Sequence, residues 1–338
     1  MKIATLLTAI WFLVVFSACL QEETGESEAE QVFEVPEEKT LPGDAESPLQ
    51  IPPPPGEVGE KAAAPVKETW RWVKEEGVRV TDGSVPYAVK LEDGREGVRL
   101  YYCSEGGILS AVSEDGLSFK KEPGTRLSAS PGEESIVCDP TITEINGGFR
   151  MYYKGADGPG GPGESVHRIF SAISEDGLSW KKEGVRIDSL KTPDKGWASV
   201  PEAVKLPDGR IRLYYVSDEG PHGIATAVSR DGLSFDREPG IILPDLVDPS
   251  VILRNGSYIM FATSINPRYL PQGIYMLKSM DGRVFELNQK PIIEGDRDRG
   301  VFDPAAILLE DGSIRVYYGE YPYRGAGAVI KSLLGKHE

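Results

Sequence analysis

Five short stretches of this 338-residue chain are built around a proline, and four of them carry a carboxylate. They are Val85-Pro86-Tyr87, Asp139-Pro140-Thr141, Val200-Pro201-Glu202, Asp248-Pro249-Ser250 and Asp303-Pro304-Ala305. Carboxylates gathered around one small cavity gain proton affinity, because each disfavours the ionisation of its neighbours. Such a set suits acid–base work. Cleaving a glycosidic bond needs one carboxylic acid to protonate the leaving oxygen and one carboxylate to activate water or attack carbon. The dipeptide also has a purely structural use: an Asp ahead of a strand accepts backbone N–H bonds, and Pro at the first strand position costs no ladder bond. Glu202 stands apart. It follows its Pro, and occupies the place that Tyr87 holds in the first stretch, so it is the leading candidate for a catalytic acid.

The elements that must position these residues repeat five times. Each unit has an apolar strand, an Asp-Gly or Asn-Gly turn, and a strand that usually reads apolar-Arg-apolar-Tyr-Tyr. The turns are Asp93-Gly94, Asn146-Gly147, Asp208-Gly209, Asn255-Gly256 and Asp311-Gly312. Those dipeptides tolerate the positive φ of a tight turn, so each unit opens as a β-hairpin. A third strand then ends in Ser-x-Asp-Gly at Ser113–Gly116, Ser174–Gly177, Ser229–Gly232 and Ser279–Gly282, and a fourth begins with Phe119, Trp180, Phe235 or Phe285. The fifth unit stops after its third strand. Trp72–Val80 matches Trp180–Ile187 almost residue for residue, so the N-terminal strand is expected to complete the last blade. A spacing of roughly 50 residues with four strands per unit predicts an all-β, five-bladed propeller closed by that strand, with the five proline stretches opening the first strands around the central axis.

Asp-Pro at blade openings, Glu near the start of blade 3 and Ser-x-Asp-Gly-Leu-Ser-aromatic before the outer strands together resemble the propellers of glycoside hydrolase families 32, 43 and 68. The resemblance spans roughly residues 68 to 335. It implies that Asp139 is the blade 2 carboxylate that tunes proton affinity and orients substrate, and that Glu202 is the blade 3 acid. Blade 1 departs from the pattern, with Val85 where these families place the base or nucleophile; Asp82 and Asp303 are the candidate replacements. An inverting mechanism would set Glu202 and its base about 6.5–9.5 Å apart. The Ser-x-Asp-Gly turns are similar to the Asp-box of sialidases with one residue fewer, and read as turn-holding structure. A complete sialidase Arg triad is not identifiable.

Further ligand contacts are expected from Asp248, from Lys154, Asp218 and Glu320 where second strands reach the channel mouth, and from His167, Arg168 and His222 ahead of third strands. Trp197 reads either as a stacking platform for a sugar ring or as a hydrophobic plug. Two His without a carboxylate or Cys at ligand spacing make a weak metal signal, and no phosphate loop, Cys-x-x-Cys pair or nucleophile elbow is present. Neither a metal nor another cofactor is expected. A carbohydrate-binding module and a protein-interaction scaffold are the non-catalytic alternatives.

The ends speak of location. Residues 4–18 are apolar, follow Lys2 and lead into Phe16-Ser17-Ala18-Cys19, which reads as a lipoprotein signal with Cys19 lipidated, an ordinary secretory signal or an uncleaved anchor being the alternatives. Residues 1–19 are thus expected as leader, 20–66 as tether and 67–338 as propeller, exported and held at a membrane as a monomer. Residues 20–66 carry twelve acids, two lysines and the run Pro52–Pro55, a composition that cannot bury enough surface to fold. Setting aside those acids, those lysines and Lys2 leaves −7 of the net −16 for the rest of the chain. A mildly acidic globule argues against nucleic acid. Cys103 and Cys138 fall on the same face of adjacent blades, as a disulfide or as two buried thiols.

Overall fold

The computed structural model describes residues 69–91, 97–266, 270–288, 290–324 and 327–337. The leader, Cys19, the acidic segment and the Asp93-Gly94 turn lie outside the described residues. Within them the chain forms five antiparallel sheets and no helix, a five-bladed β-propeller. The first strands are Ser84–Lys90, Ile136–Ile145, Ala198–Lys205, Leu246–Arg254 and Arg299–Leu308, each in contact with its two neighbours in ring order around the axis. Blade 5 takes three strands from the C-terminal end and its outer strand, Trp70–Lys74, from the N-terminal side. That pairing covers the edge of Val329–His337 and makes Trp70–Lys74 the outer strand of the blade.

The Asn-Gly and Asp-Gly hairpins divide into two kinds. Asn146-Gly147 and Asn255-Gly256 are two-residue turns, and only the second has both residues at positive φ, 50° and 74°. Asp208-Gly209 and Asp311-Gly312 sit inside longer loops, between the pairs Lys205–Ile211 and Leu308–Ile314.

The Arg-x-Tyr of four second strands latches the next blade. Tyr101, Tyr152, Tyr214 and Tyr317 donate their hydroxyls to the carbonyls of Gly177, Gly232, Gly282 and Gly116, at 2.7–2.9 Å. Arg99, Arg150, Arg212 and Arg315 fork onto Glu122, Glu183, Glu238 and Glu75 of their own blades. Three of these arginines also reach the next blade's box, at the carbonyls of Asp231, Asp281 and Asp115. Each box is rigid: the carboxylates of Asp115, Asp176, Asp231 and Asp281 accept the two backbone N–H groups that follow the Gly, at 2.7–2.8 Å. The box Gly is required twice over, since it lies at φ near +70° and a Cβ there would collide with the latching Arg and Tyr.

Blade 5 has no box to receive a latch, and blade 4 has Tyr258 and Met260 where the other blades carry Arg and Tyr. Apolar packing replaces the latch at that seam, with Trp72 edge-on to Phe261 at 5.5 Å. Both members of the Tyr-Tyr pairs are fully buried, so the pairs fill the spaces between blades rather than only one face of them.

Candidate functional site

All five opening residues adopt left-handed backbone immediately before proline: Val85 at φ 47°, Asp139 at 54°, Val200 at 46°, Asp248 at 53° and Asp303 at 53°. In every blade the first-strand register shifts at this point, so each opening is a β-bulge. Asp accepts this conformation far better than a β-branched residue does. The Asp-Pro repeat therefore has a backbone reason as well as a chemical one.

The bulges stack side chains into two layers around an axial cavity lined by Tyr87, Asp139, Glu202, Asp248, Asp303 and the five opening prolines. Room for water centres within it is about 20 Å³, which suits one ordered water and is far below the several hundred Å³ of an ordinary small-molecule pocket.

The layer after the prolines is a ring of clamps between blades. Tyr87 donates to the Ile142 carbonyl at 2.9 Å, Thr141 Oγ1 accepts the Ala203 N–H at 3.0 Å, Glu202 Oε1 accepts the Val251 N–H at 2.8 Å, and Ser250 Oγ accepts the Ala306 N–H at 3.0 Å. Each partner lies two residues beyond the next blade's proline. Glu202 Oε2 also accepts the Thr141 hydroxyl at 3.1 Å. Glu202 is thus one member of a repeated clamp, and burial, opposed by those hydrogen bonds, pushes its carboxyl up to about 8.

The layer before the prolines holds three aspartates. Asp139 Oδ2 is ion-paired with Lys154 Nζ at 2.9 Å, both side chains being almost wholly buried, and accepts the Val200 N–H at 3.3 Å. Asp248 Oδ2 accepts the Asp303 N–H at 3.4 Å, and Tyr321 donates its hydroxyl to Asp303 Oδ2. Burial raises Asp248 to about 6; burial and then the neighbouring Asp248 lift Asp303 well above the ordinary carboxylate range. Asp139 and Asp248 are 3% and 8% exposed, and the carboxyl of Asp303 is enclosed like theirs.

The remaining predicted residues scatter. Asp82 is exposed, does not line the cavity, and holds the loop through its carbonyl, which accepts the Ser104 hydroxyl at 2.9 Å. His167 is buried with its ring stacked on Trp197 at 3.6 Å and Nδ1 3.1 Å from Ser199 Oγ; burial, with Lys154 nearby, drives it down to about 2, so the ring is neutral. Trp197 is half-buried, with one face covered by His167 and His222 tilted against it at 6.3 Å. His222 pairs with Asp218 at 3.3 Å. Arg168 points away from His167, to Asp188 at 2.9 Å. Glu320 is turned from the channel by strand alternation and binds Arg299 and Lys331. Tyr321, its neighbour, faces the axis and went unread in the sequence. It shares a strand face with Tyr317 and Gly319, and a Cβ at Gly319 would strike its ring.

Cys103 and Cys138 form a disulfide that ties blade 1 to blade 2, with Cα atoms 5.3 Å apart. Cys103 Sγ accepts the Asp139 N–H at 3.1 Å, so the bond supports the axial ring directly. Among the described residues, the one trio of Cys, His, Asp or Glu at metal-ligand proximity is Cys103, Cys138 and Asp139. Its sulfurs are consumed by the disulfide.

No family model matches the chain. Two uncharacterized proteins of Mycobacterium tuberculosis, strains CDC 1551 and H37Rv, are 29% identical over 164 residues, covering 43% of this chain and 50% of each relative. The chain thus spans about half the length of the curated relatives it matches. Among solved structures, a thermostable family-43 glycoside hydrolase has a TM-score of 0.60 at 19% identity, over 77% of this chain and 91% of that one. The α-L-arabinofuranosidase of Lactobacillus brevis has a TM-score of 0.61 at 14% identity, over 75% and 91%. The α-L-arabinanase of Cellvibrio cellulosa has a TM-score of 0.56 at 14% identity, over 76% and 92%. At these identities the likeness shows the fold alone, a five-bladed propeller that this chain shares with those structures.

Proposed function

We propose that this is an extracytoplasmic, glycoside hydrolase-like protein that acts on carbohydrate by carboxylate acid–base chemistry at the axial ring. The observation that carries the reading is the convergence of Asp139, Asp248, Asp303 and Glu202 on one cavity, with three of the four drawn toward the protonated form. Perturbed carboxylates of this kind concentrate at working sites. The leader ending in Cys19 and the disulfide support export, since such bonds persist in oxidising compartments. Lipidation of Cys19 would hold the propeller at a membrane surface.

The test is sugar release by the purified full chain from 4-nitrophenyl glycosides, α-L-arabinofuranoside among them, and from arabinan and other plant, fungal and bacterial polysaccharides. Release that vanishes when Asp139, Asp248 and Asp303 are all changed to Asn supports the reading. Two observations favour a binding-only reading instead: Val85 leaves blade 1 without a carboxylate, and the cavity has space for a single water. Polysaccharide retardation of the protein in affinity electrophoresis without sugar release would establish that second reading.

A further inference from the structure

The geometry points to Asp303 and Asp139 as the acid–base pair of the axial site, with Asp303 as proton donor and Asp139 as the ionised partner that activates water. This rests on the reading of the axis as a carbohydrate-active site, and it departs from the assignment of Glu202 and a blade 1 carboxylate that the family resemblance implies. Glu202 lies in the clamp layer with both oxygens occupied, one by the Val251 N–H and one by the Thr141 hydroxyl. Thr141 and Ser250 do the same work at equivalent positions in blades 2 and 4. A residue held in a repeated structural role is poorly placed to hand its proton to a ligand.

Asp139 and Asp303 occupy the other layer and sit on blades 2 and 5. Those two blades flank blade 1 rather than each other. In a five-fold ring that is the wider of the two available separations, and the same one that divides blade 3 from blade 1. Val85 between them offers no competing charge. Their surroundings differ in the sense that divides an acid from a base. Asp139 is in a buried ion pair with Lys154 at 2.9 Å. Asp303 is influenced by Asp248, Asp139, Lys154 and Tyr321, and the strongest of these charges is the like-charged Asp248, whose Oδ2 accepts the Asp303 N–H. Two carboxylates so close favour one bound proton.

In the step, a water oxygen bonds to the anomeric carbon while Asp139 takes one of its protons. The bond from that carbon to the leaving oxygen breaks with its electron pair on the oxygen, which receives the proton of Asp303. The pair ends with its protonation exchanged and resets through solvent.

Leaving-group dependence separates the roles. Asp303→Asn keeps the left-handed backbone, which Asn tolerates. It should cleave the 4-nitrophenyl glycoside within about tenfold of wild type, lose roughly 10²–10⁴-fold on the polysaccharide, and lose the basic limb of the pH–rate profile. Asp139→Asn should lose a similar factor on both substrates. Tyr321→Phe leaves both carboxylates in place; removing a donor to the ionised form of Asp303 should move the basic limb to higher pH. The assignment is overturned if Glu202→Gln, rather than Asp303→Asn, shows the leaving-group signature, or if Tyr321→Phe leaves the basic limb unmoved. An active wild type with an unaffected Asp303→Asn removes the pair alone. A wild type silent on every glycoside and polysaccharide removes the reading of the site, and the pair with it.

Discussion

Replacing Glu202 by Gln should stabilise the propeller increasingly as pH rises. Glu202 is fully enclosed, and its carboxyl is raised from 4.5 to about 8 in the folded protein, chiefly by burial. Below pH 4.5 both folded and unfolded chains hold the proton, and the residue adds no pH dependence. Between 4.5 and about 8 the unfolded chain releases the proton that the native state retains, so stability falls as pH rises, by about 1.4 kcal/mol per unit. Above that window the loss levels off at a total of about 5 kcal/mol. Gln keeps an oxygen for the Val251 N–H and presents an amide to Thr141 Oγ1, which then accepts instead of donating. The isostere preserves the clamp and removes the titration. The assay is urea unfolding of wild type and variant at unit steps from pH 5 to pH 9. The difference in unfolding free energy should favour the variant by about 4 kcal/mol more at pH 8 than at pH 5. Asp248 and Asp303 also titrate upward, but Glu202 is not among the groups that shift them, so their contribution cancels in the difference. A difference that stays level across this range would refute the claim that the native state keeps Glu202 protonated.

Four further outcomes follow from the same geometry. Cys103→Ala/Cys138→Ala removes a cross-link between residues 35 apart; chain-entropy reasoning puts the loss at roughly 4 kcal/mol, readable as a lower urea midpoint. Lys154→Met strands the buried Asp139 carboxylate and should cost about 3–5 kcal/mol, much of it recovered in the Lys154→Met/Asp139→Asn double variant. Tyr152→Phe deletes one buried latch to the Gly232 carbonyl, for about 1–2 kcal/mol. Gly232→Ala should cost more, because it strains a φ of +72° and drives a methyl into both Arg150 and Tyr152.

The fold was legible because its signals are short-ranged and repeated. A turn dipeptide, a strand alternation or a box motif reflects backbone preferences over a few residues, and five copies make the pattern hard to misread. The co-variation at the blade 4–5 seam was also written in the chain, as Tyr258 and Met260 in place of Arg and Tyr beside a blade with no box. Its meaning needed the latch, which joins residues such as Tyr317 and Gly116 that lie 201 positions apart. Tyr321 was missed because its role comes from facing Asp303, not from any local motif.

The division between sequence and tertiary structure runs through the axial residues. By itself the chain determined that five Pro-bearing stretches belong to five first strands, that four bring carboxylates, and that Val85 leaves the fifth without one; the structure sets each Pro inside its strand, at a bulge, rather than at its opening. Tertiary structure alone decided what each carboxylate became. Glu202 and Asp303 are both acids beside a proline, yet closure of the ring seats one against the Val251 N–H as a clamp and the other against Asp248 and Tyr321. Proton affinity depends on burial and on charges within a few ångströms. In a propeller some of those neighbours belong to the next blade, as Val251 and Asp248 do at separations of 49 and 55 residues, and others to the paired strand of the same blade, as Tyr321 does.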